Sequence, residues 1–186
     1  MTIQFIQNKL PSYSKDIKLN LSSLLANHEQ LSNQQLWGVL VACAMTCKNH
    51  LLINVITEAA REHLSPETLN AAKTAAAVMA MNNIYYRFTH LVSNEVYQQM
   101  PAQLRMNGMS QHGIDKVDFE LFSLAVSAIN GCGKCMDAHE KTLSQHGASK
   151  ETIQAAIKVA AILHSVAMVV EVESSLEVSS ETTSAA

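Results

Sequence analysis

The sequence predicts an all-α fold, a helical bundle formed by one domain that spans residues 1–186. Hydrophobic residues make up 48% of the chain and aromatic residues only 5%, and this shortage of aromatic side chains favours helix over sheet. Apolar residues also recur at spacings of three and four, as in Ile17, Leu21 and Leu24. Finally, part of the chain recurs 84 residues later, which indicates a bundle built from an internal repeat.

Local signals place the helices in order. Ser32 and Gln35 form a capping box, and Ser65 with Pro66 gives a cap followed by a first-turn proline. Residues 101–114 are expected to form an irregular connection, because they include a proline and two glycines. The polar residues 174–186 are expected to be a flexible tail. The predicted helices are 15–26, 36–46, 50–63, 68–91, 118–129, 135–146 and 149–172.

The internal repeat rests on a Ser-x-Glu-Thr signature. The signature at residues 65–72 recurs at residues 149–156, so the first repeat covers about 32–92 and the second about 116–172. Each copy is expected to contain helix, corner, helix and helix around a shared core. Only the second copy carries two cysteines and a histidine at its corner, and packing alone would not require thiols there.

The chemically informative stretch is residues 118–147. It contains Cys132 and Cys135 in a Cys-x-x-Cys pair, with His139 four residues after the second thiol. Cys135 and His139 would share one face of a helix, whose N-terminus favours a thiolate. Glu120 lies twelve residues before Cys132, about 18 Å away along a continuous helix. Glu120 therefore reaches His139 only if the chain reverses near Asn130-Gly131.

If the chain reverses there, Glu120 would orient the imidazole of His139, which could then take a proton from a thiol. Three interpretations of the pair remain open: two inert buried thiols, a zinc site, or a redox dithiol. The zinc interpretation lacks a fourth ligand at the usual spacing. The redox interpretation is favoured, because peroxide chemistry needs one thiolate that becomes a sulfenic acid and a second thiol that condenses with it.

Other candidates are interpreted as structural. Cys43 and Cys47 are expected to be buried packing thiols on an apolar helix. His164 is expected to be a core or interface histidine, and the Tyr85-Tyr86-Arg87 segment a packing or subunit contact.

Charge and hydropathy restrict the class of partner. The formal net charge is −3 with scattered Lys and Arg, which argues against nucleic acid and acidic membrane as partners. We found no apolar run of about 18 residues that would span a bilayer. Residues 1–15 lack the features of a secretory signal, and a cytoplasmic location is expected.

Against this background, the sequence resembles the alkylhydroperoxidase D family, which has a carboxymuconolactone-decarboxylase-like all-α fold. The resemblance covers about residues 10–172. The segments that carry it are LPSYSKDIKLNL (10–21), QLWG (35–38), MNNIYYR (81–87), LRMN (104–107) and DFELFSLAVSAINGC (118–132), followed by Cys135 and Ala138-His139-Glu140.

The resemblance implies a homotrimer that acts as a lipoyl-dependent antioxidant enzyme. The dithiol would take electrons from dihydrolipoyl groups (dihydrolipoamide, or a lipoyl-bearing 2-oxoacid dehydrogenase component). It would pass them through a transient mixed disulfide to a peroxiredoxin of the alkyl hydroperoxide reductase C type. Direct reduction of organic hydroperoxides would be weak. No tightly bound cofactor and no metal are implied.

The resemblance also implies residue roles. Cys135 would become the sulfenic acid, Cys132 would be its partner and proton donor, and His139 and Glu120 would form a proton relay. The position at a helix N-terminus instead favours Cys132 as the more acidic thiol, so the two arguments assign the thiols differently. Family members often have His just before the second Cys, whereas this chain has Lys134.

Two rival functions remain open at this stage. One is a general thiol–disulfide oxidoreductase that is not linked to peroxide, and the other is a metal- or protein-binding adaptor with the same fold.

Overall fold

The structure is a computed structural model that describes residues 2–184, with side chains described for residues 2–177. It confirms the all-α prediction, because the described residues form helices and connections without a β-strand. Short 3₁₀ helices span Ser12–Ser14 and Asn107–Met109. The helices are α1 (Ile3–Asn8), α2 (Lys15–Ala26), α3 (Asn33–Cys47), α4 (His50–Ala60), α5 (Pro66–Leu91), α6 (Val96–Gln99), α7 (Lys116–Ile129), α8 (Gly133–Gln145) and α9 (Lys150–Ser184).

The predicted caps are present at the starts of α3 and α5. The Ser32 hydroxyl accepts the backbone N–H of Gln35, and the Gln35 side chain in turn accepts the backbone N–H of Ser32. Ser65 caps α5 by accepting the backbone N–H of Thr68. Such caps satisfy N–H groups that have no partner inside the helix, so a cap fixes where a helix begins. Helix α6 was not predicted, because its four residues are too few to show a period.

The core is formed around α3, which packs against α4, α5, α7 and α9. Nine consecutive residues of α3, from Leu36 to Ala44, are buried, so this helix is enclosed on all sides. Helix α7 is buried along ten residues from Asp118 to Ser127. Because α7 is central, its C-terminal end lies among α5, α8 and the core. The two cysteines follow shortly after this end.

The two central helices cross closely at a glycine. A Cβ atom at Gly38 of α3 would overlap the ring of Phe122 on α7, which is itself fully buried. The phenylalanine ring therefore occupies the space that a side chain at position 38 would need. This contact sets the spacing between the two helices.

The last helix differs from the prediction at its C-terminal end. Helix α9 continues to Ser184, beyond the expected end at residue 172, and the N-terminal segment supplies partners for the extension. The Tyr13 hydroxyl donates to Glu173 at 2.8 Å, and Lys9 pairs with Glu177 at 2.9 Å. Residues 185 and 186 of the expected tail lie outside the described residues.

Helix α9 also contradicts the expectation that no apolar stretch of the chain is long enough to span a bilayer. By length and composition alone, Lys150–Glu177 could cross a membrane, because an 18-residue window within it has a mean hydropathy of 1.9. The same stretch packs against α3 and α7, and Val159, Leu163 and Val166 are fully buried there. This packing buries 44% of the apolar window inside the bundle.

The helices follow the order that the internal repeat requires, with α3, α4 and α5 followed later by α7, α8 and α9. The repeat itself and its boundaries stay a prediction.

The Gly38–Phe122 contact gives a stability prediction. We expect Gly38→Ala to lower the free energy of unfolding by about 1–3 kcal/mol, because the methyl group overfills a packed core. The matched control is Gly133→Ala, where a Cβ would meet no atom within 4 Å, and we expect this change to be neutral or slightly stabilising. Urea unfolding at fixed protein concentration measures both. Equal stability of the two variants would contradict the packing argument.

Candidate active site

The site is built on a reversal of the chain between α7 and α8. Helix α7 ends at Ile129, Asn130 follows as its C-cap, and Gly131 adopts a left-handed conformation with φ of 67°. Glycine accepts this conformation without steric cost. The backbone N–H of Cys132 then donates to the carbonyl of Ser127 at 3.0 Å, which closes the end of α7. Cys132 is therefore the N-cap of α8, and the chain turns back along α7.

The two cysteines lie together at the N-terminus of α8. They are joined as a disulfide, with Cα atoms 5.3 Å apart. The Sγ atom of Cys132 also accepts the backbone N–H of Cys135 at 3.3 Å. When the pair is reduced, a thiolate at Cys132 would receive this N–H and the positive end of the helix dipole. The fold thus places both sulfurs where a thiolate is favoured.

The reversal brings Glu120 and His139 into contact. Glu120 Oε2 lies 2.6 Å from His139 Nδ1, and both side chains are buried. The distance agrees with the condition derived from the sequence, that Glu120 reaches His139 only if the chain turns at Asn130-Gly131. A carboxylate at Nδ1 fixes the ring orientation and leaves Nε2 directed away from Glu120. Nε2 lies 3.3 Å from the sulfur of Met79 on α5.

A cavity of about 310 Å³ opens onto the second thiol. Cys135 and His139 line it, together with Met79, Met106 and Tyr86. Cys132 is 0% exposed and does not line this cavity, whereas Cys135 is 6% exposed and does. A ligand in the cavity therefore meets Cys135 first. This access supports the role that the family resemblance assigns to Cys135, although the helix N-terminus favours Cys132 as the more acidic thiol.

Two residues that hold the corner were not predicted as part of the site, and one of them, Arg87, was expected only to make a packing or subunit contact. Arg87 Nη1 donates to the carbonyl oxygen of Asn130 at 2.7 Å. Asn83, which is fully buried, donates to the hydroxyl of Ser127 and accepts from the Asn130 side chain, both at 2.9 Å. Helix α5 thereby anchors the last turn of α7 and its cap. The available signal was a polar pair, Asn82-Asn83, within an otherwise apolar part of α5.

Lys134 supplies positive charge beside the cavity. Its Nζ lies 5.7 Å from the centroid of the Tyr86 ring, and both residues line the cavity with Cys135. A cation over an aromatic face is a favourable contact. At this position the chain therefore has a cation and no second imidazole.

The remaining cysteines lie elsewhere. Cys47 Sγ is 3.9 Å from His164 Nδ1, and both line a separate cavity of about 330 Å³ that includes neither Cys132 nor Cys135. Burial raises the pKa of the Cys43 thiol well above its ordinary value and raises the pKa of Cys47 to about 11. Both groups therefore stay protonated near neutral pH, but only Cys43 is the buried packing thiol that was expected, since Cys47 is half-buried. The described residues contain no group of three or more His, Cys, Asp and Glu that could hold a metal ion.

These pKa shifts predict the order of labelling in the reduced protein. We expect iodoacetamide at pH 7.5 to modify Cys135 first. Cys47 should react about 100-fold more slowly than an ordinary thiol, because its pKa is raised from 9.0 to about 11 and the thiolate is the reactive form. Its labelling should rise as the pH approaches 11. Peptide mass spectrometry over a pH series measures each site, and rapid labelling of Cys47 at pH 7.5 would contradict this assignment.

Comparison with known proteins agrees with the resemblance seen in the sequence. The model of the carboxymuconolactone decarboxylase family matches residues 95–172, the part that holds the dithiol. The chain is 53% identical over 173 residues to "Alkyl hydroperoxide reductase AhpD" of Acidobacterium capsulatum, covering 93% of this chain and 94% of the relative.

Two further relatives carry the same name. The chain is 54% identical over 171 residues to the protein of Rhodopseudomonas palustris, covering 92% of this chain and 94% of the relative. It is 52% identical over 173 residues to the protein of Coxiella burnetii, covering 92% of this chain and 98% of the relative. With relatives of this similarity along nearly its whole length, the chain belongs to the alkyl hydroperoxide reductase AhpD family.

Proposed function

We propose that this protein is an antioxidant dithiol enzyme of the alkyl hydroperoxide reductase type. The observation that carries the proposal is the division of the two thiols: Cys135 faces a cavity, and Cys132 is buried beside it at disulfide distance. A peroxide-reducing dithiol needs this division, because one sulfur must meet the oxidant and the other must be held ready to resolve the product. The names of the relatives support the same activity.

The oxidative half of the cycle starts with a thiolate at Cys135. The thiolate attacks the terminal oxygen of an alkyl hydroperoxide, the O–O bond breaks, and the departing alkoxide takes a proton to leave as an alcohol. Cys135 is now a sulfenic acid, and the Cys132 thiol condenses with it to give the disulfide and one water. His139 moves the protons, and Glu120 orients its ring through the 2.6 Å contact at Nδ1.

The reductive half of the cycle runs through the same sulfur at the cavity. A thiolate of a dihydrolipoyl group attacks Cys135 Sγ and forms a mixed disulfide, with Cys132 as the leaving thiolate. The second thiol of the donor then attacks its own sulfur in that bond, which releases lipoyl disulfide and the protein dithiol. The dithiol can next reduce the disulfide of a peroxiredoxin partner of the alkyl hydroperoxide reductase C type. Direct reduction of hydroperoxides is the weaker of the two outlets.

The electron donor in this proposal is dihydrolipoamide or a lipoyl-bearing 2-oxoacid dehydrogenase component, without a tightly bound cofactor in the protein. The cavity walls support an alkyl-chain ligand, because Met79, Met106, Met109 and Tyr86 present thioethers and an aromatic ring. We also propose a cytoplasmic location.

We further propose that the chain assembles as a homotrimer through α5. On this helix Ala77, Ile84, Phe88 and Leu91 are all exposed. With the half-buried Met81 they follow spacings of four and three, the seam that packs against another helix in coiled coils. Apolar residues of α6 extend this surface, because the rings of Phe88 and Tyr97 are in contact. A contiguous apolar surface of this kind marks an interaction site.

The enzymatic proposal predicts the outcome of a turnover assay. With lipoamide, a lipoamide-reducing enzyme and t-butyl hydroperoxide, we expect peroxide-dependent lipoamide oxidation by the wild-type protein, and a faster rate when the peroxiredoxin is added. Cys132→Ser and Cys135→Ser should each abolish turnover. His139→Asn and Glu120→Gln should lower it about 100-fold, the usual cost of losing a general acid–base group.

The matched control is Cys43→Ser, which removes a buried thiol outside the site and should leave turnover per folded molecule unchanged. Full activity in either cysteine variant, Cys132→Ser or Cys135→Ser, would disprove the dithiol mechanism. Lipoamide oxidation that does not respond to peroxide, with or without the peroxiredoxin, would instead favour a general thiol–disulfide oxidoreductase.

The assembly proposal predicts the mass in solution. We expect light scattering to give three times the 20.3 kDa chain mass for the wild-type protein and a lower mass for Ile84→Glu, because the charge would be buried in the α5 contact. Leu19→Glu, at an exposed position on α2, is the control and should remain trimeric. A trimer in Ile84→Glu would exclude this face of α5 as the interface.

A further inference from the structure

Asn82 lines the cavity beside Cys135, and its side-chain oxygen is buried without a hydrogen-bond partner among the described residues. Asn82 is 3% exposed, and its Oδ1 atom receives no hydrogen bond. In residues 2–177, two other buried side-chain atoms share this condition, His28 Nδ1 and Ser123 Oγ, and neither residue lines the dithiol cavity. Leaving a buried polar atom unpaired costs about 1–3 kcal/mol, so proteins seldom keep one without a use.

The orientation of the Asn82 amide is fixed by its other end. Nδ2 donates to the sulfur of Met109 at 3.4 Å, and both residues line the cavity. The side-chain amide consists of an NH₂ donor and a carbonyl oxygen acceptor. With the NH₂ group bonded to Met109, the Oδ1 acceptor remains for a hydrogen bond from an incoming group. The cavity offers the room for that group.

The contacts between α5 and α8 place Asn82 near the height of the reacting sulfur. Met79 contacts His139, and Tyr86, about two turns later on α5, contacts Lys134. Because Lys134 precedes His139 on α8, the two helices run in opposite directions. Asn82 lies between Met79 and Tyr86, about 4.5 Å along the axis from Met79. On the facing helix, Cys135 lies between Lys134 and His139. Asn82 and Cys135 thus line the same section of the cavity.

We propose that Asn82 Oδ1 accepts a hydrogen bond from the O–H group of an alkyl hydroperoxide and so positions the peroxide at Cys135. This inference deepens the proposed function and rests on it. The alkyl part of the hydroperoxide would lie against the methionines and Tyr86.

The reaction keeps this hydrogen bond throughout. The Cys135 thiolate forms a bond to the terminal oxygen, the O–O bond breaks, and the alkoxide takes a proton from His139 and leaves as an alcohol. The hydrogen of the attacked oxygen stays on that oxygen, now as the sulfenic acid S–O–H, and remains a donor to Asn82. A bond present in the reactant and in the product orients the reacting atoms without a change of partner.

A competing explanation is internal to the protein. In the reduced state the Cys135 S–H group could itself donate to Asn82 Oδ1. Asn82 would then act on the thiol and alter its reaction with every electrophile. A hydrogen bond to the peroxide instead affects only reagents that carry an O–H group. The two explanations are separated by a reagent that attacks the same sulfur without a hydrogen-bond donor.

The test compares Asn82→Leu with the wild-type protein in stopped-flow experiments on the reduced enzyme. We expect the second-order rate constant for oxidation by t-butyl hydroperoxide to fall about tenfold. Reaction with methyl methanethiosulfonate, which has no O–H or N–H, should change less than about twofold from pH 6 to pH 9. Thermal stability should stay equal or rise, because leucine replaces a buried unpaired oxygen with a side chain of similar size.

The matched control is Asn70→Leu, the same change at an exposed position of the same helix, and it should leave both rates unchanged. If Asn82→Leu does not fold, Asn82→Ala tests the same oxygen. An unchanged peroxide rate overturns the inference, and so does an equal fall in both rates. If the wild-type protein reacts with the hydroperoxide no faster than Cys135→Ser, the proposed function fails as well. If the wild-type protein and Asn82→Leu react equally fast, and both faster than Cys135→Ser, only the role of Asn82 is excluded.

Discussion

The site depends on one constraint, the anchored reversal of the chain at Asn130-Gly131-Cys132. The left-handed glycine turns the chain, and the side chains of Asn83 and Arg87 hold the end of α7 from outside the turn. Gly131 itself is not held by packing, since a Cβ there would meet no atom within 4 Å. Hydrogen bonds from α5 therefore define the corner. Without the reversal, Glu120 and His139 would lie on one continuous line of helix, too far apart to meet.

Helix α5 connects the site with the surface of the molecule. One face carries the anchors of the corner and three residues of the cavity wall, Met79, Asn82 and Tyr86. The opposite face is the exposed apolar seam through which we propose assembly. Because a helix is rigid across its width, a partner packed on the seam would also restrict the wall of the cavity. Assembly and the shape of the active site would then be linked by a single element, although no cavity residue need touch the partner.

Much of this arrangement could be predicted from the sequence because its causes are local. The caps at Ser32 and Ser65 marked helix starts, and the spacing of the cysteines, His139 and Glu120, with the glycine between them, implied the reversal. The anchors Asn83 and Arg87 could not be predicted, because their partners lie more than 40 residues away in the sequence. The end of α9 was misplaced for the same reason, since Tyr13 and Lys9 support it from the other end of the chain. The access of Cys135 to the cavity likewise depends on side chains of three separate segments.

The burial of Cys43 and Cys47 has a consequence for an enzyme that handles oxidants. A sulfenic acid or a mixed disulfide can be captured by any thiolate within reach, and a wrong capture would leave the chain cross-linked and inactive. In this protein the two spare sulfurs stay protonated at neutral pH because burial raises their pKa values, and Cys47 lines a cavity separate from that of Cys135. The fold thus keeps the thiols of Cys43 and Cys47 from reacting with the intermediates that form at Cys135.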